Sequence, residues 1–204
     1  MERKDFLLKS ALFGSIGLFA NSLTSTASAT ENNNAIEPVL LEPLPPLEHN
    51  GGMNIRTRIR SGMTNAVYSN VECAVAPKTM GPPPHFHKEL DELMYVTEGT
   101  ASVLVADTVV EVKAGGWHLR PRNILHTFWN ATDQPLRFID MYFNQPFEEY
   151  LERIFFELTE KNGFKEGSPE KFKELDLLNK KFGVVFPENS FSEYDKIKLK
   201  YKLK

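Results

Sequence analysis

An all-β domain with a helical extension is the fold class this sequence predicts, on three observations. Between about residue 53 and Phe143 the apolar residues recur with a period of two, in short runs. The breaks between those runs carry turn chemistry, from Gly81-Pro82-Pro83-Pro84 to Asp133-Gln134-Pro135. After Gln145 the period changes to 3.6, the spacing of a helix face. Many short strands at this spacing argue for a β-sandwich or barrel.

Residues 1–29 read as a secretory signal peptide. A charged start, Glu2-Arg3-Lys4-Asp5, precedes an apolar run from Ala11 to Ala20, and Ala27-Ser28-Ala29 has the form of a cleavage site. The apolar run is about half of the roughly 20 residues that span a bilayer, so no stable membrane anchor is expected. Arg3-Lys4-Asp5-Phe6-Leu7-Leu8-Lys9 resembles a twin-arginine export signal, with Lys4 where the second arginine belongs. An exported protein, periplasmic or extracellular, is the expectation.

Residues 30–52 predict an extended arm. Leu44-Pro45-Pro46-Leu47 cannot be helical, and His49-Asn50-Gly51-Gly52 closes the arm in a turn. The barrel is expected over 53–145. Val67, Ser69, Val71, Cys73 and Val75 alternate with Tyr68, Asn70 and Glu72. Further strands are expected at Glu92–Val96, Ala101–Val105, Thr108–Val112, Ile124–Trp129 and Leu136–Phe143.

Residues 146–204 predict a C-terminal pair of α-helices packed outside the barrel, followed by a lysine-rich tail. The first helix carries Phe147, Tyr150, Leu151, Ile154, Phe155 and Leu158 on one stripe. The second is capped by Ser168-Pro169, turns Phe172, Leu175, Leu178 and Phe182 inward, and ends at Gly183. The tail Lys196–Lys204 alternates lysine with larger residues, which predicts an edge strand or a frayed end.

Composition excludes several classes. The 204 residues carry 24 basic and 27 acidic side chains, a net of −3, which argues against nucleic acid as a partner. The single cysteine, Cys73, excludes a disulfide framework, a cysteine zinc site and an iron–sulfur cluster. Its alternating surroundings predict a small buried hydrophobe.

Three of the five histidines fall in the β-region. His85 and His87 stand two apart, so in a strand they share a face. Glu92 opens the next strand, and His126 follows the turn at Pro121-Arg122-Asn123. Imidazoles with a carboxylate suit one divalent transition metal ion: Fe, Mn, Ni, Cu or Zn. By alternation Met94 continues the face of Glu92, and Phe128 that of His126, so both are expected to wall a substrate pocket. Arg120 is a candidate anion contact in that pocket. His118 is expected to point outward, and His49 to be solvated.

These residues carry a resemblance. His85-x-His87-x(4)-Glu92-x(6)-Gly99 looks like the first motif of the cupin superfamily. Gly115-x(5)-Pro121-x-Asn123-x(2)-His126-x(3)-Asn130 resembles the second, with Asn123 where the family has glycine. The likeness spans about residues 65–145. It implies a cupin-type jelly-roll β-barrel whose metal ligands are His85, His87, Glu92 and His126.

It also implies an exported monocupin similar to quercetinase-like proteins: an oxidoreductase of dioxygenase type acting on a small hydroxylated or aromatic compound. Glu92 would take the substrate's hydroxyl proton, and dioxygen would be the second reactant. A metal-dependent isomerase or lyase, or a non-catalytic small-molecule or metal-binding module, is the alternative. Pairing into a homodimer through the Pro-rich arm is a further implication.

Overall fold

A computed structural model describes residues 36–204; the expected signal peptide and the start of the expected arm lie outside them. Among the described residues, eleven strands are present: β1 (Met53–Ile59), β2 (Tyr68–Val75), β3 (Thr79–Met80), β4 (Phe86–His87), β5 (Asp91–Glu98), β6 (Thr100–Val105), β7 (Thr108–Lys113), β8 (Trp117–Arg120), β9 (His126–Asn130), β10 (Leu136–Phe143) and β11 (Val184–Val185). Three helices follow the barrel region: α1 (Phe147–Glu152), α2 (Pro169–Phe182) and α3 (Ser190–Tyr201).

Two larger antiparallel sheets form the body. One has the order β1-β2-β10-β5-β8 and the other β3-β9-β6-β7, with β11-β4 as a small third pair. This is the all-β arrangement the alternation predicts, and it is consistent with the jelly roll that the resemblance implies. The period of two sorts each long strand into an inner and an outer face. On β10, Leu136, Phe138, Asp140 and Tyr142 are buried, whereas Arg137, Ile139 and Met141 are less so. The core between the sheets holds Val71, Val75, Val96, Val103 and Phe138, all essentially inaccessible to solvent. Burying side chains of this size contributes about 1.5–3 kcal/mol each.

The turns carry their own chemistry. Gly99 takes φ +78° between β5 and β6, and a Cβ there would collide with the Pro135 carbonyl, so only glycine fits. Asn123 takes φ +61°, the left-handed conformation that asparagine tolerates best among residues with a side chain.

Several sequence expectations change. The strands Met53–Ile59 and Trp117–Arg120 are additional to those expected. The strand expected from Ile124 starts at His126, because Asn123 is still turning the chain. The first helix passes after Glu152 into a π-helical turn, Arg153–Glu157.

The largest correction is the lysine-rich tail. It is neither strand nor frayed; it lies mostly within α3, so there are three helices rather than two. Ser190, Tyr194, Ile197 and Tyr201 are among its covered positions, spaced four, three and four apart. The hydroxyl of Ser190 donates to the Pro84 carbonyl, and Tyr201 lies 4.9 Å from the Trp129 ring. Leu199, an apolar member of the alternating pattern, is left exposed.

The arm from residue 36 has no regular structure. Arg56, Arg58 and Arg137 hold it by donating to the carbonyls of Pro45, Glu42 and Leu47 at 3.0, 2.8 and 2.9 Å. Among the described residues, no helix is long and apolar enough to cross a membrane.

Candidate metal centre

Four residues converge inside the barrel. His85 lies just before β4 and His87 within it, Glu92 is the second residue of β5, and His126 opens β9. The backbones of His85 and His126 bond to each other in both directions, at 3.0 and 2.8 Å, which sets their side chains side by side. His87 is fixed from two sides. It pairs with Val184 of β11, and its carbonyl accepts from the Asn123 amide at 2.7 Å. The left-handed turn at Asn123 therefore positions a candidate ligand directly.

The four side chains are buried, and each offers a ligand atom within 4.8 Å of the others. Metal–nitrogen bonds of about 2.1 Å let one ion reach all four after small shifts. Ring orientation fits the same purpose. The Nδ1 groups of His85 and His126 donate to the carbonyls of Pro83 and Ile124, each at 2.9 Å. That leaves Nε2 unprotonated on each ring, the usual arrangement of a metal-binding histidine. The Nε2 atoms of His87 and His126 are buried without a hydrogen-bond partner, and they lie 3.0 and 3.3 Å from the two oxygens of Glu92. Buried lone pairs facing one carboxylate are a poor arrangement for a metal-free core and a good one for a cation.

Electrostatics agree with this. Burial, with the neighbouring His126 and His87, holds His85 well below the ordinary imidazole range, so it is neutral at pH 7. Burial pushes the Glu92 carboxyl up, but Arg120, His87 and His126 outweigh it and hold the group well below the usual carboxylate range. The ligand set is thus three imidazoles and one carboxylate ion.

Arg120 takes a different place from the expected anion contact. It is fully buried, with Nη1 3.2 Å from Glu92 Oε2 and Nη2 paired with Asp140. Two carboxylates already neutralise it, though it still lines the cavity. Phe128 lines the cavity as expected. Met94 shares the face of Glu92, is completely buried, and is not among the cavity's lining residues. His118 was expected to point outward; the alternation of β8 puts it on the Arg120 face, opposite Met94 and half-buried. That burial lowers its pKa. Cys73 is buried at the cavity wall, and desolvation pushes its thiol well up, so it is unreactive.

Three contributors were not singled out as site residues from sequence. Asp140 could have been found, as the lone charged residue on the inner face of β10, among Leu136, Phe138 and Tyr142. Phe147 stands edge-on to the His87 ring at 4.9 Å, and Phe186 lies 5.5 Å from His85. Both come from the C-terminal region, and nothing local in the sequence says that this region returns to the metal ligands.

The centre opens into a cavity of about 890 Å³. Its barrel side includes His85, Glu92, Arg120 and Phe128; its other side includes Phe147, Tyr150, Ile154 and Phe155 from the helical region. The helices that pack outside the sheets thus also wall the space in front of the ligands. The arrangement can hold an ion at the polar end and a mainly apolar small molecule beside it.

Residues 71–142 match the family model described as the cupin domain. No curated protein matches the chain. Solved structures with a similar fold include KdgF from Halomonas sp., at 16% identity and a TM-score of 0.43, covering 48% of this chain and 84% of that one. The polyketide cyclase RemF from Streptomyces resistomycificus matches at 27% identity and a TM-score of 0.41, covering 46% and 66%. The oxalate decarboxylase of Lactobacillus farciminis matches at 24% and 0.40, covering 50% and 31%. The match to the cupin-domain model thus covers the strands that carry the candidate ligands, from Val71 to Tyr142.

Proposed function

We propose that this protein is an exported metal-dependent oxidoreductase of dioxygenase type, acting on a small hydroxylated or aromatic compound. The observation that carries the reading is the set of four buried ligand atoms beside a large, mainly apolar cavity. His85, His87, Glu92 and His126 would hold one divalent transition metal ion. When bound, such an ion supplies Lewis acidity and open positions for oxygen donors.

The remaining work falls to the chain's own residues. Phe128, Phe147 and Ile154 exclude water from around the substrate and present flat or branched apolar surface to it. Glu92, ionised and at the cavity wall, is placed to accept the proton of a substrate hydroxyl. A bound aromatic ring would lie against the helical side, with its oxygens toward the histidines.

The test is oxygen uptake by protein loaded with each candidate metal, against a panel of flavonols, catechols and β-diketones. Consumption with at least one compound is expected. Turnover without oxygen would replace this reading with an isomerase or lyase. Binding without turnover would make the protein a small-molecule carrier. For Glu92 itself, E92Q should lower turnover more than metal affinity; equal losses would make it a ligand alone.

A further inference from the structure

We propose that Arg120 and Asp140 act as a clamp that holds the Glu92 carboxylate in one orientation, with Oε1 toward His87 and Oε2 toward the guanidinium. The inference rests on the metal centre proposed above. Arg120 stands opposite Glu92 in the β5–β8 ladder. Its guanidinium reaches past β5 to Asp140 on β10, so it touches a carboxylate on β5 and another on the strand beyond it. Nη1 lies 3.2 Å from Glu92 Oε2, and Nη2 is paired with Asp140 Oδ1. The Tyr142 hydroxyl contacts the other Asp140 oxygen at 3.4 Å.

All three charged groups are almost wholly buried. A buried ion pair is often no more stable than apolar residues of the same volume, so stability alone does not account for it. Arg120 and Asp140 cancel in charge, so the pair adds no net charge to the centre. What remains is position. Oε2 of Glu92 faces both the guanidinium and His126 Nε2, and Oε1 faces His87. Only a planar fork can hold two carboxylates in this way; a lysine offers one point of charge. Arg120 is thus a positioning residue, acting through Glu92.

Cobalt(II) is the probe, added to metal-free full-length protein. Affinity is read by competition with a chelator, and ligand geometry by the visible absorption at saturation. Two variants are compared with the unaltered chain: R120K, and the double variant R120M/D140N, which removes both buried charges and leaves neither unpaired. Circular dichroism melts establish that each is folded. Both should bind one cobalt about 10–100-fold more weakly. Both should also show a changed absorption band at saturation, because Glu92 is then free to leave that orientation.

Unaltered affinity with an unaltered band in either folded variant would overturn the clamp. Where the double variant is unstable, R120K carries the same test. Failure of the unaltered chain to take up cobalt would instead overturn the metal centre itself, and the two failures are read from different samples.

Discussion

The cavity has two walls of different construction. On the barrel wall the polar groups are buried almost completely and directed by strand ladders: His85 by His126, His87 by Val184 and Asn123, and Arg120 by Asp140. On the helical wall Phe147 and Tyr150 are buried and stacked, with the buried Phe182 edge-on behind them, whereas Phe172 is exposed and Ile154 and Phe155 are only partly covered. The first wall is held by hydrogen bonds and ion pairs between strands. The second is held mainly by apolar contact, which restricts position less. Metal chemistry belongs on the rigid wall and choice of ligand on the adaptable one, and the two should be separable by mutation.

The largest separation is expected from H87A or H126A. Each removes a candidate ligand and should abolish metal retention through dialysis, measured by elemental analysis. The helical content, read by circular dichroism, should survive.

F147A tests the place where the walls meet, since this ring touches both His87 and Tyr150. Deleting a buried phenylalanine costs about 3–5 kcal/mol, and the lower end is expected beside an existing cavity. Urea unfolding should show that loss while the metal is retained. Metal loss equal to that of H87A would mean the walls are not independent.

Acid should attack the barrel wall first. His85 is held well below 6.5 when folded, so the unfolded chain binds its proton more readily. Stability of the metal-free protein should therefore fall as the pH drops below about 6.5. Glu92, held well below 4.5, adds a second loss as the pH falls under that value. Asp140, raised by burial, acts in the opposite sense and softens it. A thermal midpoint that does not change between pH 7 and pH 5 would contradict the assignment of His85.

S168A should have the smallest effect. The Ser168 hydroxyl accepts from the Lys171 amide at the start of α2. Losing that cap costs about 1 kcal/mol. The change should leave metal content untouched, because it loosens only the helical wall.

The same contrast explains what was legible in the sequence. The barrel ligands could be read because strand alternation and turn residues are local: His85 and His87 share a face, and Asn123 turns the chain before His126. Phe128 followed from the same rule. Alternation gave the face of Met94 but not its depth, since a period says which way a side chain points and not where the cavity ends. His118 sits on the Arg120 face by the same rule, two residues away, and its outward assignment neglected that parity.

The helical wall was legible as helices but not as a wall. Nothing local says that Phe147 and Phe186 return to the histidines, because those contacts are made across long stretches of chain. The lysine-rich tail misled for a related reason. Alternating lysines satisfy a period of two, while Ser190, Tyr194, Ile197 and Tyr201 satisfy 3.6. Packing of Tyr201 against Trp129 favours the second.

The most direct test is X-ray absorption on protein purified from its native compartment without chelators. The account predicts one divalent first-row ion per chain, with nitrogen and oxygen neighbours only and an imidazole scattering pattern that disappears in the H87A/H126A variant. A protein free of metal, or an ion with a sulfur neighbour contributed by Cys73, would contradict it.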